Sequence, residues 1–275
     1  MARLINLYSE DRSVQVQVAP DNGGMIAQIF VEGKPMLRLH EDKIDMTPIA
    51  AGGIPVMFPF SSKVRDDSYE MDGVTYGMPM HGLVKNEAFG IREVTDQKVI
   101  LWTENNPCWL QSQYPFSFEL EVTYKLEGNT VVLQAAVENR SDKPMPHTLG
   151  WHTYHLANDK TKFELTHHMT AHFDYFKDED VEMPGEMDLS QFWDDVFHTP
   201  TKHEYTLVNR EFGYEAHCTY DEIYDCLVVC SWAPEAMCVE PWCGVPNSMR
   251  HGQHLKWIEP GAREVYTVKL DFKLI

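Results

Sequence analysis

Along this chain, hydrophobic residues recur chiefly at every second position. The clearest case is residues 116–126. Phe116, Phe118, Leu120, Val122, Tyr124 and Leu126 share one face of an extended backbone, and the positions between them are mostly polar. Glu127, Gly128 and Asn129 supply turn chemistry, and residues 130–137 resume a β-branched alternation, which predicts a long antiparallel hairpin. Val14, Val16 and Val18 alternate with Gln15 and Gln17 in the same way. Residues 99–103, 226–231, 237–240 and 265–272 read as further strands. Helical signals are few: one short helix is expected over residues 189–197, and an acidic loop over 178–187. Turn residues recur at 21–24, 52–53, 72–73 and 260–261, and no linker or repeat divides the chain. The pattern predicts an all-β fold, a large twisted antiparallel β-sandwich in which residues 1–275 form a single domain.

Charge narrows the partners. Acidic residues number 42 against 23 basic, a formal charge of −19 with a pI near 5.0. Such a surface repels phosphate backbones and anionic lipid, which argues against nucleic-acid and membrane partners. The sequence holds no long uncharged apolar run, and residues 1–6 meet polar side chains at once, so a cytoplasmic protein is expected. In that compartment the six cysteines stay reduced. Cys226, Cys230, Cys238 and Cys243 crowd together but lack the paired C-x-x-C spacing of structural zinc, and Cys226 and Cys230 read as small core residues on one strand face. The clustered histidines, among them His152, His155, His167, His168 and His172, match no metal motif, so no metal is expected.

Four segments set ionisable groups among residues that otherwise look structural. Residues 52–65 break an apolar run with two prolines and then offer Lys63 and Arg65, which point to the same side of an extended backbone. The pair either grips hydroxyl oxygens or stands as a solvated cationic pair, and the pattern does not separate the two. His81 lies between Met80 and Gly82, where the glycine permits close approach, but a satisfied core histidine has the same signature. His152 stands among aromatics after two prolines. An imidazole there could donate a proton to a substrate oxygen, and the aromatics around it could equally be core filling. Glu240 emerges from a strand ended by Pro241, and a buried carboxylate has either a structural ion partner or a pKa raised toward the range of a useful base.

Taken together, these segments resemble the aldose 1-epimerase (galactose mutarotase) superfamily, particularly its LacX-like branch. Gly53-Ile-Pro-Val-Met-Phe-Pro-Phe60 is similar to that branch's Gly-Gly-Ile-Pro segment, and Tyr76-Gly-Met-Pro-Met-His81-Gly-Leu83 to its Tyr-x-x-Pro-x-His-Gly stretch. Asn139 through Gly150-Trp-His152-Thr-Tyr154 resembles the family's Asn…Pro…Gly-x-His motif, and Cys238-Val-Glu240-Pro-Trp242 its Cys-Ile-Glu-Pro-Trp. The resemblance implies a galactose mutarotase-like supersandwich with a cleft on one sheet. It makes Glu240 the general base and His152 the general acid, flanking the reacting atoms of the sugar, and gives His81 the sugar ring. Ser62 and Lys63 stand where the family has Asn-Arg, so the sugar contact falls to Lys63 or passes to Arg65. The family's ring-binding Asp aligns with Asp225, with Asp221 close by.

The implied reaction is anomer interconversion of an aldose without a cofactor. The expected partner is a neutral aldohexose, and a homodimer is compatible with the sequence. Two alternatives are a carbohydrate-binding sandwich that has lost catalysis and a mutarotase for a phosphorylated or sulfonated sugar. Residues 161–206 carry no motif and are expected to form a wall or lid of the cleft.

Overall fold

The alternation in residues 116–126 becomes structure because one face of the strand is covered and the other is wet. In the computed structural model, which describes residues 2–45, 48–185 and 187–275, Phe118–Glu127 pairs with Thr130–Asn139 in unbroken antiparallel register. Phe118, Leu120, Val122 and Tyr124 are fully buried on the inner face. The hairpin sits inside a sheet of 14 strands among the described residues, running from Val56–Met57 at one end to Gly90–Val94 at the other.

A second sheet, Ile5–Tyr8, Val14–Ala19, Met25–Val31 and Lys34–Pro35, lies against the first. Its Val16 and Ile29 join Leu120, Leu133 and Val268 of the large sheet in one hydrophobic cluster, which is the filling of the β-sandwich. Three short helices occur among the described residues, Pro48–Ala51, Pro107–Ser112 and Ser248–His251, and none is long and apolar enough to cross a membrane. The second of these has a readable start: Pro107 follows Asn106, whose side chain accepts a hydrogen bond from the Cys108 N–H.

The other expected strands all form: Lys98–Glu104, Ala236–Cys243 and Arg263–Leu274 run a little longer than their alternating cores, and Cys226–Cys230 falls within the expected 226–231. Two expectations fail. The helix over 189–197 does not form; a strand, Asp194–Asn209, begins inside it. Leu189, Phe192, Trp193, Val196 and Phe197 have helical spacing, but Val196 and Phe197 are both buried because this strand is covered on both faces, and Phe192 is exposed. The acidic loop at 178–187 contains a short strand, Glu179–Val181, paired with Phe163–Asp174; Glu186 lies outside the described residues. All six cysteines are free thiols, five of them buried and Cys108 exposed.

Candidate active site

Register builds this site. Asp194–Asn209, Cys226–Cys230 and Ala236–Cys243 lie side by side, and their pairing aligns every second residue into rows. One row is Asp194, Cys230 and Cys238; the next is Val196, Val228 and Glu240; a third is His198, Cys226 and Trp242. On the far side of Ala236–Cys243 the neighbouring chain is interrupted. Gly150 pairs with Trp242 and Tyr154 pairs with Cys238, so His152, midway between them, falls opposite Glu240. The break between Leu149–Trp151 and Tyr154–Leu156 therefore puts the imidazole in the same row as the carboxylate.

A cavity of about 350 Å³ opens over these rows. Asp194, Val196, Val228, Cys230, Glu240 and Trp242 line it from the sheet, and His152, His81 and Lys63 from the loops. His152 Nδ1 is 3.1 Å from Glu240 Oε1, yet it makes no aligned hydrogen bond and is buried without one. The two groups stand side by side on the cavity floor. The Trp242 indole N–H donates to Glu240 Oε2 at 3.0 Å. Trp242 can lie there only because residue 150 is glycine: a Cβ at that position would be 2.4 Å from Trp242 Cδ1.

His81 is carried in by a close backbone crossing. Gly82 has a φ of +74°, and a Cβ there would meet the Phe58 carbonyl oxygen at 2.2 Å, so only glycine lets the two segments touch. His81 Nδ1 donates to the Ser61 carbonyl at 2.8 Å, which leaves Nε2 as an acceptor. Burial holds this imidazole down at about 4; the Lys85 ammonium pushes the same way and the Ser61 bond opposes. Lys85 itself is buried and donates to the Gly82 carbonyl at 2.6 Å, so its charge is spent inside the loop.

The catalytic candidates are shifted in opposite directions. Burial pushes the Glu240 carboxyl well above the usual carboxylate range, Asp194 adds to the effect and the Trp242 bond opposes it. Burial pushes His152 well below the ordinary imidazole range, with His81 and Arg38 acting in the same sense. A carboxyl that resists losing its proton beside an imidazole that resists gaining one is a pair holding a single proton over a wide pH interval.

Sequence reasoning passed over two residues here. Asp194 lines the cavity, half-buried, with its pKa raised by burial and by Asp195. The signal was present in its alternation with Val196 and His198, once that segment is read as a strand. Arg38 is the second. It is buried with no carboxylate at ion-pair distance among the described residues, donates to the Ala50 and Ala51 carbonyls at 2.7 and 2.9 Å, and lies 4.6 Å over the Tyr154 ring. Tyr154 in turn stacks on His152 at 4.2 Å, with its hydroxyl 3.3 Å from His152 Nε2.

Three of the sequence candidates are not brought together with the rest. Asp225 does not line the cavity. Burial pushes its carboxyl up, but the His254 bond at 2.8 Å and the Lys256 ammonium at 2.6 Å outweigh that and hold it below the ordinary range. Asp221 is also away from the cavity, exposed and bonded to the Thr267 N–H. Arg65 lines a neighbouring cavity and pairs with Asp178 at 3.1 Å. Residues 161–206 do form a wall, through Tyr175, Asp194 and Val196. Among the described residues, two sets of potential metal ligands have all their donor atoms within 4.8 Å of one another: His152, Cys238 and Glu240, and Asp225, Cys226 and His254. The first has the soft and borderline donors that suit zinc, and in the second the Lys256 ammonium already occupies the carboxylate.

Comparison with known proteins bears on the family and the fold. The family profile described as aldose 1-epimerase matches residues 13–253. The plasmid-encoded protein LacX of Lactococcus lactis subsp. lactis is 31% identical over 107 residues, which cover 37% of this chain and 36% of LacX, so the match spans little more than a third of that curated relative. The fold is similar to that of the Slr1438 protein from Synechocystis sp. PCC 6803, with a TM-score of 0.92 at 22% identity over 100% of this chain and 97% of the other. It is similar as well to the galactose 1-epimerase of Lactobacillus acidophilus NCFM, with a TM-score of 0.78 at 14% identity over 98% and 94%.

Proposed function

The chain belongs to the aldose 1-epimerase family, and on that premise we propose that it is an isomerase interconverting the α and β anomers of an aldose by acid–base ring opening and closure. The observation that carries this reading is the His152–Glu240 pair in one row of the cavity floor, 3.1 Å apart, with burial pushing the carboxyl up and the imidazole down. Ring opening needs a proton removed from the anomeric hydroxyl and one delivered to the ring oxygen. Both oxygens are bonded to the same carbon, so acid and base must be close neighbours, as these two are.

Burial keeps the resting pair as neutral carboxyl and neutral imidazole. In the opening step the proton has passed to His152, and Glu240, as carboxylate, takes the hydroxyl proton while the imidazolium protonates the ring oxygen and the C1–O5 bond breaks. The pair is then neutral on both sides. After rotation about C1–C2, His152 removes the proton from the C5 hydroxyl and Glu240 returns its own to the carbonyl oxygen, which restores the charged pair. Each group serves once as acid and once as base. His81 Nε2 and the Asp194 carboxylate accept from sugar hydroxyls, and Lys63 donates to one. The acidic protein and the burial of Lys85 favour a neutral aldohexose as substrate.

The test is anomer exchange, followed by polarimetry or by NMR exchange on freshly dissolved α-glucose and α-galactose. Glu240→Gln and His152→Asn are each expected to lower the catalysed rate by on the order of 10²–10⁴-fold while the protein stays folded. Near wild-type rates in either folded variant would overturn the assignment.

A further inference from the structure

Beside the cavity over Glu240 lies a second one of about 380 Å³, lined by Lys63, Arg65, Asp66, Tyr175, Phe176 and Asn247. Lys63 and Tyr175 line both, so the two adjoin. Ring opening at one anomeric carbon uses none of the other four residues, and the lining has a definite chemical character.

Phe176 is 79% exposed, and its ring meets Tyr175 edge to face at 5.2 Å. Asp174 fixes the turn that presents them by accepting from the Phe176 and Lys177 N–H groups at 2.8 and 2.9 Å. Trp232, 51% exposed, lines the first cavity. Aromatic faces held out at the mouth of a polar pocket suit the C–H face of a pyranose, with polar groups around them for its hydroxyls. The polar groups are balanced in charge. Arg65 is paired with Asp178, which also accepts from Asn247 at 2.8 Å, and Asp66 and Lys63 both line the cavity. Two cations against two carboxylates give no net positive field for a phosphate, whereas a neutral polyol finds both donors and acceptors.

We propose that this second cavity is a subsite for a second glycosyl unit, and that the preferred substrate is a neutral reducing disaccharide with its reducing ring over His152 and Glu240. The inference rests on the mutarotase reading and deepens it. The second ring contributes binding energy away from the reacting carbon, stacked on Phe176 and Tyr175 and bonded by Lys63 and Asp66.

The experiment compares kcat/KM for anomer exchange of maltose, cellobiose and lactose with that of glucose, galactose and glucose 6-phosphate, in wild type and in Phe176→Ala. At least one disaccharide is expected to exceed both neutral monosaccharides. Phe176→Ala is expected to lower the disaccharide-to-monosaccharide ratio by roughly two- to tenfold, the worth of one aromatic contact. Phe176 is exposed, so its loss leaves the core intact. A ratio that Phe176→Ala does not move overturns the subsite, as does a preference for glucose 6-phosphate over every disaccharide. If no sugar is turned over, the mutarotase reading falls and calorimetry decides the subsite separately. Tighter binding of a disaccharide than of glucose, erased by Phe176→Ala, upholds it, and equal binding overturns it.

Discussion

Acidification from pH 7 to pH 5 should strip this fold of much of its stability, and the buried imidazoles say by how much. His147 and His155 are buried and His81 is half-buried, and the loss of solvent holds the three down at about 3, 3 and 4. In the unfolded chain each returns to about 6.5. Below that pH the unfolded state binds protons that the folded state refuses, so stability present above about pH 6.5 is lost as the pH falls. The catalytic pair cancels in this balance: folded, it holds one proton on Glu240 or His152, and unfolded between about 4.5 and 6.5 it also holds one, on the histidine. These three imidazoles remain as the main contributors, and His167, also held down by burial, adds in the same sense. Each of the three is worth about 2 kcal/mol between pH 7 and pH 5, together about 6 kcal/mol, against a total that for most domains is about 5–15 kcal/mol. Urea denaturation at pH 7, 6 and 5, followed by circular dichroism, measures the loss directly. In His155→Leu, whose imidazole has only a long 3.4 Å contact to the Tyr205 hydroxyl, the slope should flatten by one proton, about 1.4 kcal/mol per pH unit. A midpoint unchanged from pH 7 to 5, or a His155→Leu slope equal to that of the wild type, would refute the reasoning.

Two further outcomes follow from the site. The kcat/KM profile should be a bell with a broad top, its acid limb below the ordinary imidazole pKa and its alkaline limb above the ordinary carboxyl pKa, because the one-proton pair spans that interval. In Arg38→Met the acid limb should move up, since a cation that disfavours imidazolium is gone, and an unmoved limb would remove Arg38 from the electrostatics of the site. Gly150→Ala should cost about 1–3 kcal/mol and displace Trp242 from Glu240, checked by denaturant midpoint and anomer exchange, and full activity there would show that the indole has room to spare.

Much of the fold was legible because half of each strand is wet. The hairpin Phe118–Glu127 and Thr130–Asn139 shows its alternation, and its turn is glycine-marked. Where both faces are dry the signal inverts: adjacent buried Val196 and Phe197 gave residues 189–197 a helical spacing. That misreading hid Asp194, whose place on the cavity floor is visible only when the segment is extended. Asp225 illustrates the converse. It lies one residue out of phase with Cys226 and Val228, whose rows run under the site, and no alternation carries it there. Arg38 left no local trace at all, because its partners are the carbonyls of residues 50 and 51 and a ring at 154.

The interruption between Leu149–Trp151 and Tyr154–Leu156 also has a consequence for the order of folding events. His152 reaches Glu240 only when both flanking pieces have docked on Ala236–Cys243, and that strand in turn lies between them and Cys226–Cys230. The two pairings across the seam join segments far apart in the chain and close a long loop before they gain a contact, which makes such steps slow. The local hairpin at residues 118–139 carries no such delay. During refolding, secondary structure should therefore return ahead of turnover, and recovered catalysis marks the closing of the seam.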